Sequence, residues 1–486
     1  MPDASRPGAG RLAVPITPED VARQPLGNGA VVLVRESRAA PAMTVRGYLR
    51  AGTACDPEGR EGLALLTASL LTRGSASHTS ESLGLALDSL GASLSVRADI
   101  EGVSFAVHCL SEDANTLLDL LVEVLTRPTF PEDETEKQRA KLITGIRESR
   151  LDTRAMADKT FREAAYPVGH PYQRPAEGEE ETVARLTRAD LAGFHGRWYH
   201  PRGCAFAVVG DVRAADVVTR LEASLARWGA GAPPDLAPVP AAGPGASVQR
   251  RTVAIPGKTQ ADIVLGVPGF TRTGADYYPA MMADLILGRL GLMGRLGATL
   301  RDEEGLAYYV YSQAQAGFLP GPWAVRAGVN PANLDRAIAG IVREIQGLQR
   351  EPVRDGELED AQEFLTGSLA VRLETDAGIA QALLDIELFD LGLDYLLRYP
   401  GLIRAVTPEQ IAEWNLPTRP TKASDTRSKG FGNISVELDA IDPNALRALV
   451  QETIEQHLPP DQFEVLKAAE QSERKIITRL VGTVTS

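Results

Sequence analysis

The sequence predicts an α+β protein built from two homologous α/β-sandwich halves. Each half is expected to be a mixed or antiparallel sheet covered by helices, with a Pro/Gly/Ala-rich linker between the halves and a helical appendage at the C-terminus. Three observations predict this. Runs of β-branched residues bounded by Gly and charge alternate with stretches whose apolar residues recur at helical spacing. The same order of elements appears on both sides of one nearly uncharged Pro- and Gly-rich stretch. The chain has 486 residues, 44% of them hydrophobic and 24% charged, so it can bury the cores of several domains.

Taken in order, residues 1–25 read as an N-terminal extension, and the first half spans 26–228. It opens with two strands, GAVVLVRE and TVRGYLRAG. GLALLTASLLTRG and ESLGLALDSLG follow with apolar residues at i, i+3, i+4 and i+7, the second opened by Thr79 or Ser80 as cap. ASLSVRA and GVSFAVHCL read as strands joined by a short polar turn, and helical patterns cover 113–126 and 131–150. CAFAVVGDV is the closing strand of the half, and ADVVTRLEASLARW is an amphipathic helix after it. Residues 229–247 have linker composition. The second half, 248–415, repeats the order with strands near 250–267, helices over 276–303, strands at 308–315 and 321–328, and helices from 331 to 413. Residues 416–486 form the appended, mostly helical tail, in which only NISVEL reads as a short strand.

Composition removes several classes of function. Fifty-one Lys plus Arg against 64 Asp plus Glu leave a net charge of −13 with no basic cluster, which argues against nucleic-acid and anionic-membrane partners. No stretch approaches the roughly 18 apolar residues of a membrane span. The start, MPDASRPGAGRLAVPITPED, lacks the basic and apolar regions of a secretory signal, so the expected location is cytoplasmic, or periplasmic if the N-terminus is misassigned. Cys55, Cys109 and Cys204 each stand alone, encode neither a disulfide framework nor a CxxC metal site, and read as small core residues.

Several segments carry a family signature. LGNGAVVLV, AGTACDPEGREGLALLTASLLTRGS, HPYQRP and LTRADLAGFHGRWYHPRGCAFAVVGDV stand in order in the first half. LGRLGLMGRLGATLRDEEGLAYYVYS and ELEDAQEFLTGSLAVRLET stand in order in the second. Over roughly residues 26–413 the chain resembles the pitrilysin/insulinase-type metallopeptidases, which include the mitochondrial processing peptidases and their bacterial two-subunit relatives. The resemblance implies an inverted zinc motif, H-x-x-E-H, on the helix after Gly62: two His four apart on one face hold Zn²⁺ and the Glu acts as base on its water. The two His positions fall here on Leu65 and Ser69, and the base on Ala68. The third ligand, a Glu on a later helix, falls on Thr144 or Gly145, while Glu148 lies out of helical phase. None of these side chains can serve as a zinc ligand of that kind. Of the six histidines, His78, His108, His170, His195, His200 and His457, only His195 and His200 are close in sequence, and they read as packing at a helix end around Trp198 and Tyr199.

The resemblance also implies that an Arg and a Tyr of the second half reach toward a bound peptide, and these match Arg301 and Tyr308 of LRDEEGLAY. An Arg fork and a phenolic donor suit a peptide carbonyl and a developing oxyanion. The competing reading pairs Arg301 with Asp302 or Glu304 and packs Tyr308 into a strand; one ring of Tyr308, Tyr309 and Tyr311 is expected to pack inward. The glycines of LGRLGLMGRLG lack the Gly-Lys-Ser/Thr of a phosphate loop.

The expected function is therefore the non-catalytic, peptide-binding subunit of a two-subunit zinc peptidase, inactive alone. No cofactor is expected in this chain, and the zinc is held by a homologous partner that carries H-x-x-E-H. In such pairs the two chains enclose a chamber that admits unfolded peptides. Two other readings stand beside it: a structural scaffold like the core subunits of respiratory complexes, and a solitary pseudoenzyme that binds peptides.

Overall fold

The computed structural model describes residues 16–414 apart from 229–234, 237, 243–247, 352 and 354. The first half runs β1 (Ala22–Pro25), β2 (Val31–Glu36), β3 (Ala42–Leu49), α1 (Leu63–Leu70), α2 (Ser80–Ser89), β4 (Ser93–Ala98) and β5 (Val103–Leu110). It continues through α3 (Ala114–Thr126), α4 (Glu132–Ser149), α5 (Thr153–Ala165), α6 (Glu180–Ala184), α7 (Arg188–Trp198), β6 (Cys204–Gly210) and α8 (Ala214–Leu225). Thr79 is the cap of α2, its hydroxyl accepting from the Ser82 N–H at 3.1 Å. The strands form a six-stranded mixed sheet in the order β1-β2-β6-β3-β5-β4. The strand that closes the half in sequence is thus central in space, parallel to β2 and antiparallel to β3.

Alternation along β6 explains its position. Cys204, Phe206 and Val208 face the core shared with α1, α3, α7 and α8, whereas Ala205, Ala207 and Val209 face the opposite core. Side chains of successive residues point to opposite faces, so a strand apolar at every position is one buried on both sides. All three cysteines are buried free thiols. Burial pushes Cys55 up to about 12 and Cys109 up to about 11, so neither is a reactive thiolate.

The second half runs β7 (Ala261–Pro268), α9 (Tyr277–Gly288), the single turn α10 (Gly294–Leu296), a π-helical segment at Gly297–Glu303, β8 (Ala307–Ala316) and β9 (Pro320–Val329). Five helices follow: α11 (Leu334–Arg350), α12 (Asp355–Arg372), α13 (Asp376–Leu388), α14 (Tyr395–Arg404) and α15 (Pro408–Glu413). Its sheet has three strands among the described residues, in the order β7-β9-β8, all antiparallel. The strand expected near 250–267 begins only at Ala261. Pro256 lacks the N–H a ladder needs and Gly257 turns the chain, so the exposed residues before them stay out of the sheet. The second half therefore repeats the strand, helix, hairpin, helix centre of the first, but not its outer strands, among the described residues.

The halves are joined by reciprocal packing. α13 of the second half lies on β3 and β6 of the first, and α5 of the first lies on β7 of the second. One continuous core accordingly includes Leu33, Ala205, Ala207 and Val209 together with Ile379, Leu383 and Ile386. Polar clasps lock this arrangement. Arg23 holds Glu387 through two bonds of 2.7 and 2.8 Å, and Arg326 holds Asp158 at 2.6 Å. At the turn between β4 and β5, the Glu101 carboxylate accepts from the backbone N–H groups of Phe318 at 2.6 Å and Leu319 at 3.0 Å, and from the Tyr172 hydroxyl at 3.0 Å. The 416–486 tail, including NISVEL, lies outside the described residues, and the 229–247 linker does so in part.

Candidate functional site

The helix that aligns with the zinc motif is fully formed. Asp56 caps α1, its two oxygens accepting from the N–H groups of Gly62 at 2.9 Å and Ala64 at 2.8 Å. Gly62 has φ +92°, and a Cβ there would lie 2.6 Å from the Glu177 carbonyl oxygen, so only glycine fits this entry to the helix. Arg174 braces the same corner through the backbone carbonyls of Asp56 and Thr53. Desolvation of the buried carboxyl pushes Asp56 up to about 7, against the two backbone N–H groups that favour its charged form.

What the helix presents is apolar or self-satisfied. Leu65 and Ser69, one turn apart, are half-buried, and Ala68 is buried. Ser69 donates its hydroxyl to the Leu66 carbonyl at 2.8 Å, within its own helix. On α4, which packs against α1, Thr144 does the same to Ala140 at 2.9 Å, and Gly145 is exposed. These residues do not fit a zinc ion: an aliphatic carbon, a methyl and two hydroxyls committed to carbonyls offer no imidazole, thiolate or carboxylate. No group of three or more His, Cys, Asp or Glu able to hold a metal occurs among the described residues.

Four of the six histidines are engaged elsewhere, whereas the buried Nδ1 of His200 has no hydrogen-bond partner among the described residues. His195 donates from Nε2 to the Leu125 carbonyl at 2.8 Å and stacks on Tyr199 at 4.5 Å, the helix-end packing expected for that segment. His78 approaches Glu123 at 3.4 Å, and His108 meets the Thr44 hydroxyl at 3.1 Å. His170 is wholly buried between Tyr166 and Tyr172, and desolvation pushes it down to about 4. His457 lies outside the described residues.

Arg301 and Tyr308 occupy two irregular pieces of backbone in the second half. Arg301 stands on the π-helical segment, a rare form of helix that is frequent at functional sites. Tyr308 falls at a β-bulge: Ala307 pairs with Val329 and Tyr309 with Gly328, leaving Tyr308 as the extra residue. A bulge re-aims a side chain, and Tyr308 is 64% exposed. Its neighbour Tyr309 is the ring that turns inward, donating its hydroxyl to Asp262. Glu304 is paired with Arg343, not with Arg301. The glycine-bearing turn before Arg301 is a site of close backbone approach, since a Cβ on Gly294 would lie 2.5 Å from the Ile286 carbonyl oxygen. Neither the π-helical segment nor the bulge was visible in the sequence. Nor was the role of Asp56 and Glu101, whose carboxylates are signalled only by their places before a glycine-opened helix and in a hairpin turn.

Fold and site together define a zinc-peptidase scaffold whose metal-binding helix carries no metal donors. The comparisons agree. The model described as Insulinase (Peptidase family M16) matches residues 31–175, and that described as Peptidase M16 inactive domain matches 185–365. The chain belongs to the insulinase, or M16, peptidase family. It is similar to an uncharacterized zinc protease of Streptomyces coelicolor, 25% identical over 70% of this chain and 75% of that protein. An uncharacterized zinc protease of Mycobacterium leprae is likewise 25% identical, over 73% and 79%. Among solved structures, a peptidase M16 inactive domain from Pseudomonas fluorescens superposes with a TM-score of 0.74 at 26% identity, covering 81% of this chain and 93% of that one. A chain of Complex III2 from Candida albicans shares the fold, with a TM-score of 0.66 at 17% identity over 81% and 92%. No described helix is long and apolar enough to cross a membrane.

Proposed function

We propose that this chain is the non-catalytic, peptide-binding subunit of a two-subunit zinc peptidase. A homologous partner carrying H-x-x-E-H supplies the zinc, and this chain supplies Arg301 and Tyr308. The observation that carries the proposal is the contrast within one fold: α1 is capped and packed although it has no donors, while a half-buried Arg301 sits on a π-helical segment and an exposed Tyr308 on a bulge. An edge strand adds a second support. β4 is the last strand of its sheet and packs against α1, so its outer N–H and C=O groups can take up an extended peptide by strand addition.

In this role the chain binds and positions. The Arg301 fork grips a carbonyl or a carboxylate, and the Tyr308 hydroxyl donates to an oxygen on which charge develops. Co-purification tests the pairing: the chain, expressed with a homologue that bears the intact motif, is expected to elute as one complex that cleaves unfolded peptides. Elemental analysis of the chain alone is expected to find no stoichiometric zinc. One zinc per chain, with chelator-sensitive cleavage in the absence of a partner, would overturn the proposal. A chain that binds its partner but leaves peptide cleavage unchanged would point to the scaffold reading instead.

A further inference from the structure

The inner face of the first sheet, beyond the part covered by α13, is polar and cationic. Across the central rung of β5, Ala106 pairs with Arg46 of β3 on one side and Ser95 of β4 on the other. On the next rung Ser104 pairs with Tyr48 and Arg97. Because Ala106, Ser95 and Ser104 are small, nothing on the sheet fills the space between the two arginines. What remains is a recess of about 340 Å³ lined by Arg46, Arg97, Ser95, Ser104 and, from α13, Gln381. That volume lies within the usual range for small-ligand sites.

Neither guanidinium is neutralised. Arg46 is half-buried, its Nε shielded from solvent and without a hydrogen-bond partner. Arg97 is exposed, and its guanidinium has no ion-pair or hydrogen-bond partner among the described residues. The nearby carboxyl on α13, Asp385, accepts from Gln381 at 2.9 Å, and the cations that act on it are Arg272 and Arg372, not Arg46. Two unpaired guanidinium forks over a floor of hydroxyls form a receptor for a carboxylate. In a chain of net charge −13, they are a local reversal of sign.

We propose that this recess is a subsite for an acidic side chain of an extended peptide paired to the edge of β4. This rests on the peptide-binding reading and specifies its substrate class. A peptide added to β4 alternates its side chains between the α1 face and the inner face, as β4 itself does. Every second side chain therefore passes beside Ser95 and Arg97, and Arg46 closes the recess behind them.

Fluorescence anisotropy with the full-length chain tests the subsite. One labelled peptide carries Glu at alternate positions, and a matched peptide carries Gln in its place. The acidic peptide is expected to bind about tenfold more tightly. Arg97→Gln, an exposed substitution that leaves the fold intact, is expected to erase most of that preference, and Arg46→Gln the remainder, without weakening the Gln peptide. Equal binding of the two peptides by wild type would overturn the subsite while leaving the peptide-binding reading in place. Binding of neither peptide would overturn both. Inorganic phosphate is the competitor that separates the sources: full displacement of the acidic peptide by millimolar phosphate would mark a site for free anions and overturn the peptide assignment.

Discussion

The two halves of this molecule have departed from a common plan in opposite ways. The first has six strands and a well-capped α1, yet the positions that the family resemblance assigns to metal ligands hold Leu65, Ser69 and Thr144 or Gly145. The second has three strands among the described residues, yet it presents Arg301 and an exposed Tyr308 on special backbone. Scaffold and ligand set are separable here. The helix keeps its shape without its donors because the shape depends on Asp56, Gly62 and core packing, none of which is a ligand. The second half holds together with fewer strands because α5, from the first half, covers β7.

The largest effect expected from breaking this contrast is on the chemistry of the second half. In the reconstituted pair, Arg301→Ala or Tyr308→Phe is expected to lower peptide cleavage about 100-fold, the usual cost of one aligned donor to an oxyanion. Assembly and zinc content are expected to stay unchanged. The matching substitution in the first half, Ser69→Ala, is expected to leave cleavage at the wild-type rate. Wild-type cleavage by both second-half variants would remove Arg301 and Tyr308 from the reaction.

Next in size are the clasps between halves. Glu101→Ala leaves the N–H groups of Phe318 and Leu319 and the Tyr172 hydroxyl without their acceptor. The expected loss is about 2–3 kcal/mol in denaturant unfolding, because the abandoned donors are partly buried and the bonds were to a carboxylate. Arg326→Ala, which frees Asp158 in the middle of α5, is expected to cost somewhat less. If Glu101→Ala unfolds at the wild-type midpoint, the hairpin between β8 and β9 does not depend on the first half.

A smaller, pH-dependent effect belongs to the cap of α1. Burial raises the Asp56 pKa from the ordinary aspartate value near 4 to about 7. Between those values the folded state binds the proton and the unfolded state does not. The stabilisation is therefore full below about pH 4 and declines as pH rises through about 7. Relative to Asp56→Asn, wild type is expected to lose on the order of 1–3 kcal/mol over that window. A constant difference between the two proteins from pH 4 to 8 would show that the carboxyl is ionised throughout.

How much of this was legible beforehand follows the kind of signal each feature leaves. Strands such as Val31–Glu36 announce themselves as a β-branched run, Val103–Leu110 through alternation, and helices such as Ala114–Thr126 through period, so element order could be read directly. The residues at the spacing of the family's zinc motif, Leu65, Ala68 and Ser69, were legible too, because identity at a fixed spacing is a property of single residues. Sheet order was not: β6 reads as a last strand and sits in the centre. Neither was the exchange of α5 and α13, because periodicity shows that a face is buried but not which half buries it. The bulge at Tyr308 and the recess at Arg46 and Arg97 arise from pairing between strands, which no single strand encodes.

The smallest expected effect tests where the second half ends. Its described core runs through Ile403, Val406 and Ile411, and the Trp414 ring closes it edge-on against Trp323 at 5.8 Å and Phe270 at 5.9 Å. In the first half, β6 lies against β3, starting where Leu49 pairs with Cys204 and running back to Met43. The corresponding side of β7 has no strand among the described residues, and an open edge of eight residues is a pairing liability unless something covers it. If residues 416–486 are a separable appendage, truncation after Trp414 is expected to change unfolding stability by less than about 1 kcal/mol, since the aromatic closure remains. Peptide binding is then also unchanged, and any new tendency of the truncated chain to associate would report the exposed edge of β7. A loss of several kcal/mol, or of partner binding, would place residues beyond Trp414 in the second sheet, and the difference between three strands and six would shrink accordingly.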